Sequence, residues 1–245
     1  SSTCLGLRTP LGAALEVLKE RHERAKALCR KFKMSCAQVR GAEELEEIGC
    51  LVAADAATLG MILQTNGLPC LQDLYLSDND FGDAGMQALC EGLGCGAAPS
   101  LRSLNLARCQ FGRAGAEALA AALGRGAFPK IESLHLYGNP VGNRGVTALA
   151  ASLSKLPALT TLYLGRCEID DEGVASLVDN LGKDDFKALE KLFLNGNKVT
   201  DAGVAKLLAA LNAGGLPKLV NHPYLLFNNP ASAVAVEAVK AALAK

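Results

Sequence analysis

Apolar residues recur between positions 71 and 211 in two alternating patterns. The first spaces leucines three and then two positions apart, as in Leu71, Leu74 and Leu76. The second has apolar residues at three- and four-residue spacing, as in the segment 116–123. Side chains alternate between the two faces of a strand, whereas spacing near 3.6 residues builds one face of a helix. The pattern therefore predicts a short strand followed by a helix, repeated along the chain.

The strand segment occurs five times as L-x-x-L-x-L-x-x-N/C. Its copies start 30, 30, 28 and 30 residues apart, at Leu71, Leu101, Ile131, Leu159 and Leu189. A fixed period of this kind indicates a solenoid, and this pattern is the leucine-rich one. One repeat cannot bury both its strand and its helix leucines, so stacked neighbours share a core. Helices that connect parallel strands form right-handed crossovers.

These features predict the fold class and its organisation. We expect an α/β, right-handed leucine-rich-repeat solenoid, with a curved parallel sheet inside, helices outside and an N-terminal helical extension. The extension is predicted to cover residues 1–40, and a degenerate capping repeat residues 41–70. Five regular repeats then fill residues 71–218, and an irregular C-terminal capping repeat ends the chain at 219–245.

The last position of the repeat pattern predicts a structural ladder. Asn or Cys occupies this position in each repeat, namely Asn79, Cys109, Asn139, Cys167, Asn197 and, in the irregular repeat, Asn229. With its long period and full helices, the chain resembles the ribonuclease-inhibitor-like group of leucine-rich repeats over roughly residues 41–245. That group includes ribonuclease inhibitor, the sensing domains of NOD-like receptors, the Ran GTPase-activating protein and the tropomodulin C-terminal domain. Because most of these bind proteins, the resemblance implies protein binding.

The N-terminal extension contains a predicted basic amphipathic helix from about residue 10 to 33. Thr9 followed by Pro10 is typical of a helix start. One apolar stripe follows, formed by Leu11, Leu15, Leu18, His22, Ala25, Cys29 and Phe32. Between Lys19 and Lys33 there are seven basic and two acidic residues. We expect the stripe to dock on the repeats; a coiled-coil seam, an acidic partner or an anionic membrane surface are the alternatives.

The acidic segment 43–47 and the segment 51–64 complete the predicted N-terminal cap. The acidic segment either complements the basic helix or forms an exposed turn. Residues 51–64 align with the helices of later repeats, so they are predicted to be the helix of a repeat whose strand half has degenerated. Atypical terminal repeats are expected because the ends of a solenoid face water.

Charge and cysteine content narrow the function classes. The net charge of zero disfavours a general nucleic-acid binder, whose affinity depends on neutralising phosphates. We find no apolar run of the ~20 residues that a membrane span needs. The nine cysteines include no C-x-x-C pair. Cys90, Cys109 and Cys167 fall on core or ladder positions, so we favour free thiols over a disulfide framework or a metal cluster.

The same cysteines suggest where the protein works. Free thiols predict a reducing compartment, most simply the cytoplasm. The sequence begins at Ser1 rather than Met, so an organellar targeting segment removed before this residue is compatible with it.

The concave face of the sheet is the predicted interaction surface. Residues between the strand leucines face outward, and the central position holds Tyr75, Asn105, His135, Tyr163 and Phe193, with Leu225 expected to continue the row. Aromatic residues and arginines are the types that anchor protein interfaces. The predicted partner-binding residues are Tyr75, Asn105, Arg108, His135, Tyr137, Tyr163, Arg166 and Phe193.

The sequence gives little indication of catalytic activity. His135 has Ser103, Ser133 and Glu132 potentially near it, but a Ser-His-acid arrangement also needs a pocket that excludes water. The three histidines do not have the spacing of metal ligands. No phosphate-binding or dinucleotide-binding glycine motif is present. We therefore predict a chain without catalytic activity, cofactor or resident metal.

The sequence thus predicts a non-catalytic protein-protein interaction module. We expect a scaffold or a structural subunit of a larger assembly, which binds its partner through the concave face. The alternative is a regulator of a small GTPase, as in the Ran-activating proteins, or of actin, which rests on analogy of fold. For the GTPase alternative, the relevant residues would be the arginines on the strand-to-helix turns, Arg108, Arg113, Arg144 and Arg166.

Overall fold

Parallel strands and helices alternate along the chain, as the repeat pattern predicts. A computed structural model describes residues 5–65, 68–94, 97–179, 181–182 and 184–244, with side chains from Gly12 onward. Six strands form one parallel sheet whose spatial order follows the sequence order. They are β1 (Glu44–Glu46), β2 (Asp73–Tyr75), β3 (Ser103–Asn105), β4 (Ser133–His135), β5 (Thr161–Tyr163) and β6 (Lys191–Phe193). The predicted α/β leucine-rich-repeat solenoid is confirmed.

Helices connect the strands and cover one face of the sheet. The N-terminal helices are α1 (Leu5–Lys31), α2 (Cys36–Gly41) and α3 (Ala53–Gln64). The repeat helices are α4 (Gly82–Glu91), α5 (Arg113–Gly124), α6 (Gly142–Ser154), α7 (Asp171–Val178) and α8 (Asp201–Asn212). The chain ends with α9 (Ala233–Leu243). Each helix from α3 to α9 packs against the next one, which makes a continuous helical layer.

The strand register aligns the buried leucines in one row. The middle residues of the six strands are paired across the sheet and are all buried: Leu45, Leu74, Leu104, Leu134, Leu162 and Leu192. The residues on either side of each leucine point to the other face, which is the concave face of the solenoid. The register therefore separates a dry core from a polar and aromatic surface.

A second set of contacts joins the start of one helix to the next repeat. Oδ1 of Asp83 accepts hydrogen bonds of 2.8 Å from the backbone N–H groups of Gly112 and Gly115. A β-carbon at Gly115 would lie 3.0 Å from this oxygen and 2.7 Å from the β-carbon of Phe111. Glycine is thus required because a side chain here would collide with Phe111 of the same repeat and crowd Asp83 of the preceding one.

The same contact recurs in later repeats. Asn143 accepts from the N–H of Asp170, and Asp171 accepts from Thr200 and Gly203. Asp201 accepts from the N–H of Ser232 in the last repeat. Because these N–H groups have no partner within their own helices, a carboxylate or amide oxygen from the preceding repeat satisfies them. Asp170 and Thr200 are in addition the N-caps of α7 and α8, since each side chain accepts from its own helix.

The N-terminal capping repeat retains a strand, contrary to the prediction. Residues Glu44–Glu46 form β1, which pairs in parallel with β2. The N–H of Glu47 donates to the carbonyl of Tyr75 at 3.0 Å. Leu45 points into the core while the glutamates on both sides stay exposed. The acidic segment is therefore a strand rather than a turn, and the predicted helix of this repeat is present as α3.

The N-terminal helix docks on the repeats through its C-terminal part. α1 begins at Leu5, so Thr9 is not its N-cap and Pro10 lies inside the helix. Leu28, Cys29 and Phe32 are buried, and Lys31 Nζ lies 2.6 Å from Asp55 Oδ2 of α3. By contrast, Leu15 is 52% and Leu18 60% exposed, and His22 is exposed as well. The prediction that the whole stripe docks is wrong over this part of the helix, and Leu11 lies outside the described side chains.

The C-terminal repeat covers the edge of β6 without forming a strand in its described residues. The N–H of Leu194 donates to the carbonyl of Leu225, and that of Gly196 donates to the carbonyl of Phe227. These bonds satisfy part of an edge that would otherwise be open to pairing with another chain. α9 then packs on α8 through Val239.

Candidate functional site

The ladder asparagines hold the turns that follow the strands. Oδ1 of Asn139 accepts from the N–H of Cys109 at 2.8 Å, while Nδ2 donates to the carbonyls of Leu106 and Leu136. Asn79, Asn197 and Asn229 make equivalent bonds, each to the preceding repeat. A buried amide that satisfies several backbone groups fixes the exit direction of each strand. The ladder thereby positions the concave face.

In alternate repeats a cysteine takes the place of the ladder asparagine, and its thiol makes different contacts. Sγ of Cys109 lies 3.0 Å from the carbonyl oxygen of Leu76, and Sγ of Cys167 lies 3.3 Å from that of Leu136. Both thiols are buried and free. Burial raises the pKa of each to about 12. These residues act as small packing groups rather than as reactive thiols.

The predicted partner-binding residues all lie on the concave face or on the turns beside it. Tyr75, Asn105, His135, Tyr163 and Phe193 are half-buried at the last position of their strands. Tyr137 is half-buried on the turn, where Arg108 and Arg166 are exposed. Asn105 differs from the others because its Oδ1 accepts from the N–H of Ala107 at 3.0 Å. Its amide therefore supports the turn and separates Tyr75 from the rings that follow.

Aromatic rings stack in an unbroken series from β4 to the C-terminal repeat. His135 and Tyr163 have centroids 3.9 Å apart, and Tyr163 and Phe193 have centroids 4.1 Å apart. His222 follows, 4.3 Å from Phe193. Tyr224 lies 6.5 Å from Phe193, and Phe227 meets Tyr224 edge to face. We call these six residues the aromatic row: His135, Tyr163, Phe193, His222, Tyr224 and Phe227.

The continuation of this row differs from the sequence prediction. Leu225 was expected to be its next member, but it is only 3% exposed and belongs to the core. Its place is taken by His222 and Tyr224, because the segment before the last ladder asparagine is a turn and does not keep the strand alternation. Tyr224 is 53% and Phe227 63% exposed. The most exposed aromatic surface thus lies at the C-terminal end of the row.

Arginines and glycines alternate on the turns after the strands. Arg108 and Arg166 adopt positive φ angles of 53° and 52°. Each aliphatic stem lies over a glycine of the next repeat: a β-carbon at Gly138 would be 2.7 Å from Arg108 Cγ, and one at Gly196 would be 2.9 Å from Arg166 Cγ. Arg108 pairs with Asp78 at 2.6 Å, whereas the guanidinium of Arg166 lies 5.9 Å from the ring centre of Tyr137. The repeats therefore fix two arginines beside the concave face.

The N-terminal end of the concave face is acidic. β1 places Glu44 beside Asp73 and Glu46 beside Tyr75. Burial raises the pKa of Tyr75, and the charges of Asp73 and Glu44 raise it further, against a hydrogen bond to Ser103. The contribution of the two carboxylates reflects the negative charge near the tyrosine. We call Glu44, Glu46 and Asp73 the acidic end.

His135, the candidate catalytic histidine, has Ser133 within hydrogen-bonding distance. His135 Nε2 lies 2.9 Å from Ser133 Oγ, and burial lowers the pKa of the imidazole. Within the described residues no carboxylate hydrogen-bonds to this ring, and the pair lies on an open sheet. An orienting acid and a water-excluding pocket, which a Ser-His nucleophile requires, are not found around it in this part of the chain.

Several residues of this surface have no clear signal in the sequence. Glu44 and Glu46 lie on a strand with one apolar residue, which gives too little alternation to identify. His222, Tyr224 and Phe227 fall where the repeat pattern breaks. The polar acceptors Asp83, Asn143, Asp171 and Asp201 had a usable signal, because they recur at one offset from the first strand leucine.

A known protein family matches the sequence over the repeats. The sequence matches the family described as leucine-rich repeat at residues 67–90, 97–120, 129–150, 155–178 and 188–208. Each match begins before a strand and ends in the helix that follows it. Among the described helices none has the length and apolar character of a membrane span, and the described side chains form no metal-binding cluster. With five matched segments on a parallel sheet, the chain is a leucine-rich repeat protein.

Proposed function

We propose that this protein is a non-catalytic interaction module that binds a protein partner through its concave face. Leucine-rich repeats generally mediate protein-protein interaction. The observation that carries the proposal is the aromatic row, whose rings lie outside the core in a continuous series and end at the exposed Tyr224 and Phe227. Aromatic residues are enriched among those that dominate binding energy.

The same proposal extends to the repeat type and the cellular role. Alternation of Asn and Cys in the ladder, matched by alternation of Gly and Arg on the turns, supports the ribonuclease-inhibitor-like type. A short sheet of six strands favours a scaffold or a fixed subunit over an inhibitor that surrounds its partner. The free buried thiols support a reducing compartment such as the cytoplasm.

The test is a comparison of partner binding by the wild-type protein and two variants. Tyr163→Ala with Phe193→Ala removes the centre of the aromatic row and should weaken binding by about 2–4 kcal/mol. The partner is first isolated from the source cell with the wild-type protein, and its affinity for each purified variant is then measured. Circular dichroism checks that the variants stay folded.

A competing hypothesis places the docking site on α1, whose basic face is exposed. Arg21→Glu, Arg24→Glu, Lys26→Glu and Arg30→Glu reverse that charge, and Lys31 is left intact because it pairs with Asp55. Loss of binding in this variant, together with normal binding by the aromatic double variant, would overturn the concave-face proposal. The opposite result supports it.

Regulation of a small GTPase or of actin remains the second hypothesis. Arg113 and Arg144, which were expected on turns, lie in α5 and α6. Arg108 is on its turn and pairs with Asp78, and Arg113 pairs with Glu117. Arg166 is exposed and stacks on Tyr137 instead. An Arg166→Ala variant that binds a GTPase normally but alters its GTP turnover would favour this alternative.

A further inference from the structure

The concave face has opposite chemistry at its two ends. Glu44, Glu46 and Asp73 are neighbours at one end, and no ion pair among the described residues includes any of them. The aromatic row occupies the other end, where Lys191 is exposed on the same strand as Phe193. A partner that covers the whole face therefore meets carboxylates at one end and aromatic rings at the other.

The stacking decides which groups the aromatic row can accept. His135, Tyr163 and Phe193 lie nearly parallel, with interplanar angles of 23° and 12°. Both faces of the Tyr163 and Phe193 rings are covered by neighbours, so their edges point away from the sheet. Ring edges carry partial positive charge, and only ring faces attract cations. The centre of the row thus favours apolar groups and acceptor oxygens over lysine or arginine.

The acidic end, in contrast, favours cationic groups. The three carboxylates attract lysine or arginine side chains, and they repel phosphate groups. The separation between the two preferences is fixed by the sheet. Five strand intervals of ~4.8 Å place Glu46 on β1 about 24 Å from Phe193 on β6. This distance corresponds to ~16 residues of helix or ~7 residues of extended chain.

From these features we propose that the concave face binds a protein segment with two chemically distinct ends. Lysine or arginine residues lie over Glu44, Glu46 and Asp73, and aliphatic or aromatic residues without a cation lie over the aromatic row. This inference rests on the proposed function, the use of the concave face for protein binding, and adds the chemistry and polarity of the partner.

Selection from a phage-displayed library of random 16-residue peptides tests the proposal. The wild-type protein should enrich peptides in which a group of Lys or Arg is separated from a group of apolar residues. One enriched peptide is then synthesised, and its Kd is measured with purified variants. Glu44→Gln, Glu46→Gln and Asp73→Asn together should weaken binding about fivefold to tenfold, as expected for loss of a few exposed charge pairs.

The matched control removes three negative charges from the helical layer. Glu91→Gln, Glu117→Gln and Glu172→Gln change the net charge by the same amount at exposed helix positions. This variant should keep the affinity of the wild-type protein. Tyr224→Ala with Phe227→Ala should weaken binding by at least tenfold, because the apolar half of the peptide loses its most exposed anchors.

The outcomes separate this inference from the function on which it rests. Enriched peptides that lack basic residues, or no enriched peptides, overturn the inference, as does equal weakening by the concave and the control charge variants. If the enriched peptides bind Tyr163→Ala with Phe193→Ala as tightly as the wild type, the concave face is not the site and the proposed function itself fails. If peptide binding depends on the aromatic row but the enriched peptides show no charge preference, only the present inference fails.

Discussion

Nε2 of His222 lies 2.9 Å from the carbonyl oxygen of Leu192, the middle residue of the last strand. Because a carbonyl only accepts, Nε2 carries a proton and donates it to Leu192. Nδ1 is buried without a hydrogen-bond partner in the described part of the protein. The His222 side chain therefore hydrogen-bonds to the outer edge of β6, whereas the edge of each earlier strand is covered by the next strand.

This contact predicts a pH dependence of stability. Burial lowers the pKa of His222, and Lys191 lowers it further, against the bond to Leu192. The unfolded chain, with a His pKa of about 6.5, takes up the proton first as the pH falls. The contribution of His222 to the free energy of unfolding is therefore fully present above about pH 7. It decreases as the pH falls through about 6.5, until the pKa of His222 in the folded protein is reached.

Thermal unfolding between pH 7.5 and 5.5 measures this effect. His222→Gln keeps a donor for Leu192 but cannot titrate, so its melting temperature should fall less than that of the wild type. His22→Gln, at an exposed position of α1, should behave as the wild type. Parallel curves for the wild type and His222→Gln would show that His222 does not contribute.

The buried strand leucines should dominate stability. Leu162 and Leu192 are paired neighbours in the sheet and are fully buried. Replacement of either by Ala should cost about 2–5 kcal/mol, as for other large-to-small changes in a core. Chemical denaturation gives the value directly. Unchanged unfolding midpoints in both variants would contradict the strand register.

The side-chain contacts between the starts of neighbouring helices should contribute separately to the stability of the protein. Asp171 accepts from the N–H groups of Thr200 and Gly203 and from the Thr200 hydroxyl. Asp171→Ala leaves these N–H groups without the acceptor and should destabilise the protein by about 1–2 kcal/mol. Glu172→Ala, in the same helical turn, is the control, because the described hydrogen bonds do not involve its side chain.

Acid should weaken the same contact. Burial alone would raise the pKa of Asp171, but hydrogen bonds from Thr200 and Gly203 hold it below its usual value. The contribution is thus present above the unfolded pKa of about 3.9 and is lost as the pH falls through the folded value. The stability difference between the wild type and Asp171→Ala should shrink over that range; a constant difference would argue against this role of the carboxylate.

Cysteine reactivity should separate into two groups. Burial raises the pKa of Cys90, Cys109 and Cys167 to about 12, and burial with a hydrogen bond to Cys36 raises that of Cys29 to about 11. Cys36, Cys50 and Cys70 are exposed. Because the thiolate is the reactive form, alkylation of the native protein should label the exposed group first.

Mass spectrometry of the labelled peptides gives the order of reaction. Alkylation after denaturation without reductant should then label Cys90, Cys109 and Cys167 completely. A disulfide at any of these three positions would contradict the reduced compartment. Native labelling of Cys167 as fast as Cys70 would contradict its place in the core.

The sequence by itself determined the repeat unit and what it builds. Spacing of leucines in a strand and of apolar residues in a helix follows from local backbone geometry, so each repeat could be predicted without its neighbours. The caps Asp170 and Thr200 and the buried positions of Cys109 and Cys167 were predictable for the same reason. The row from Tyr75 to Phe193 followed from strand alternation alone.

Tertiary structure decided whatever depends on contacts between repeats. Leu45 forms a strand because Leu74 lies beside it, although its own neighbours are glutamates. Asp83 caps a helix about thirty residues away, and Leu225 is buried where its carbonyl accepts a hydrogen bond from the edge of β6. Periodicity along the chain fixes which residues share a face; the side chains that meet across repeats depend on how closely the repeats stack.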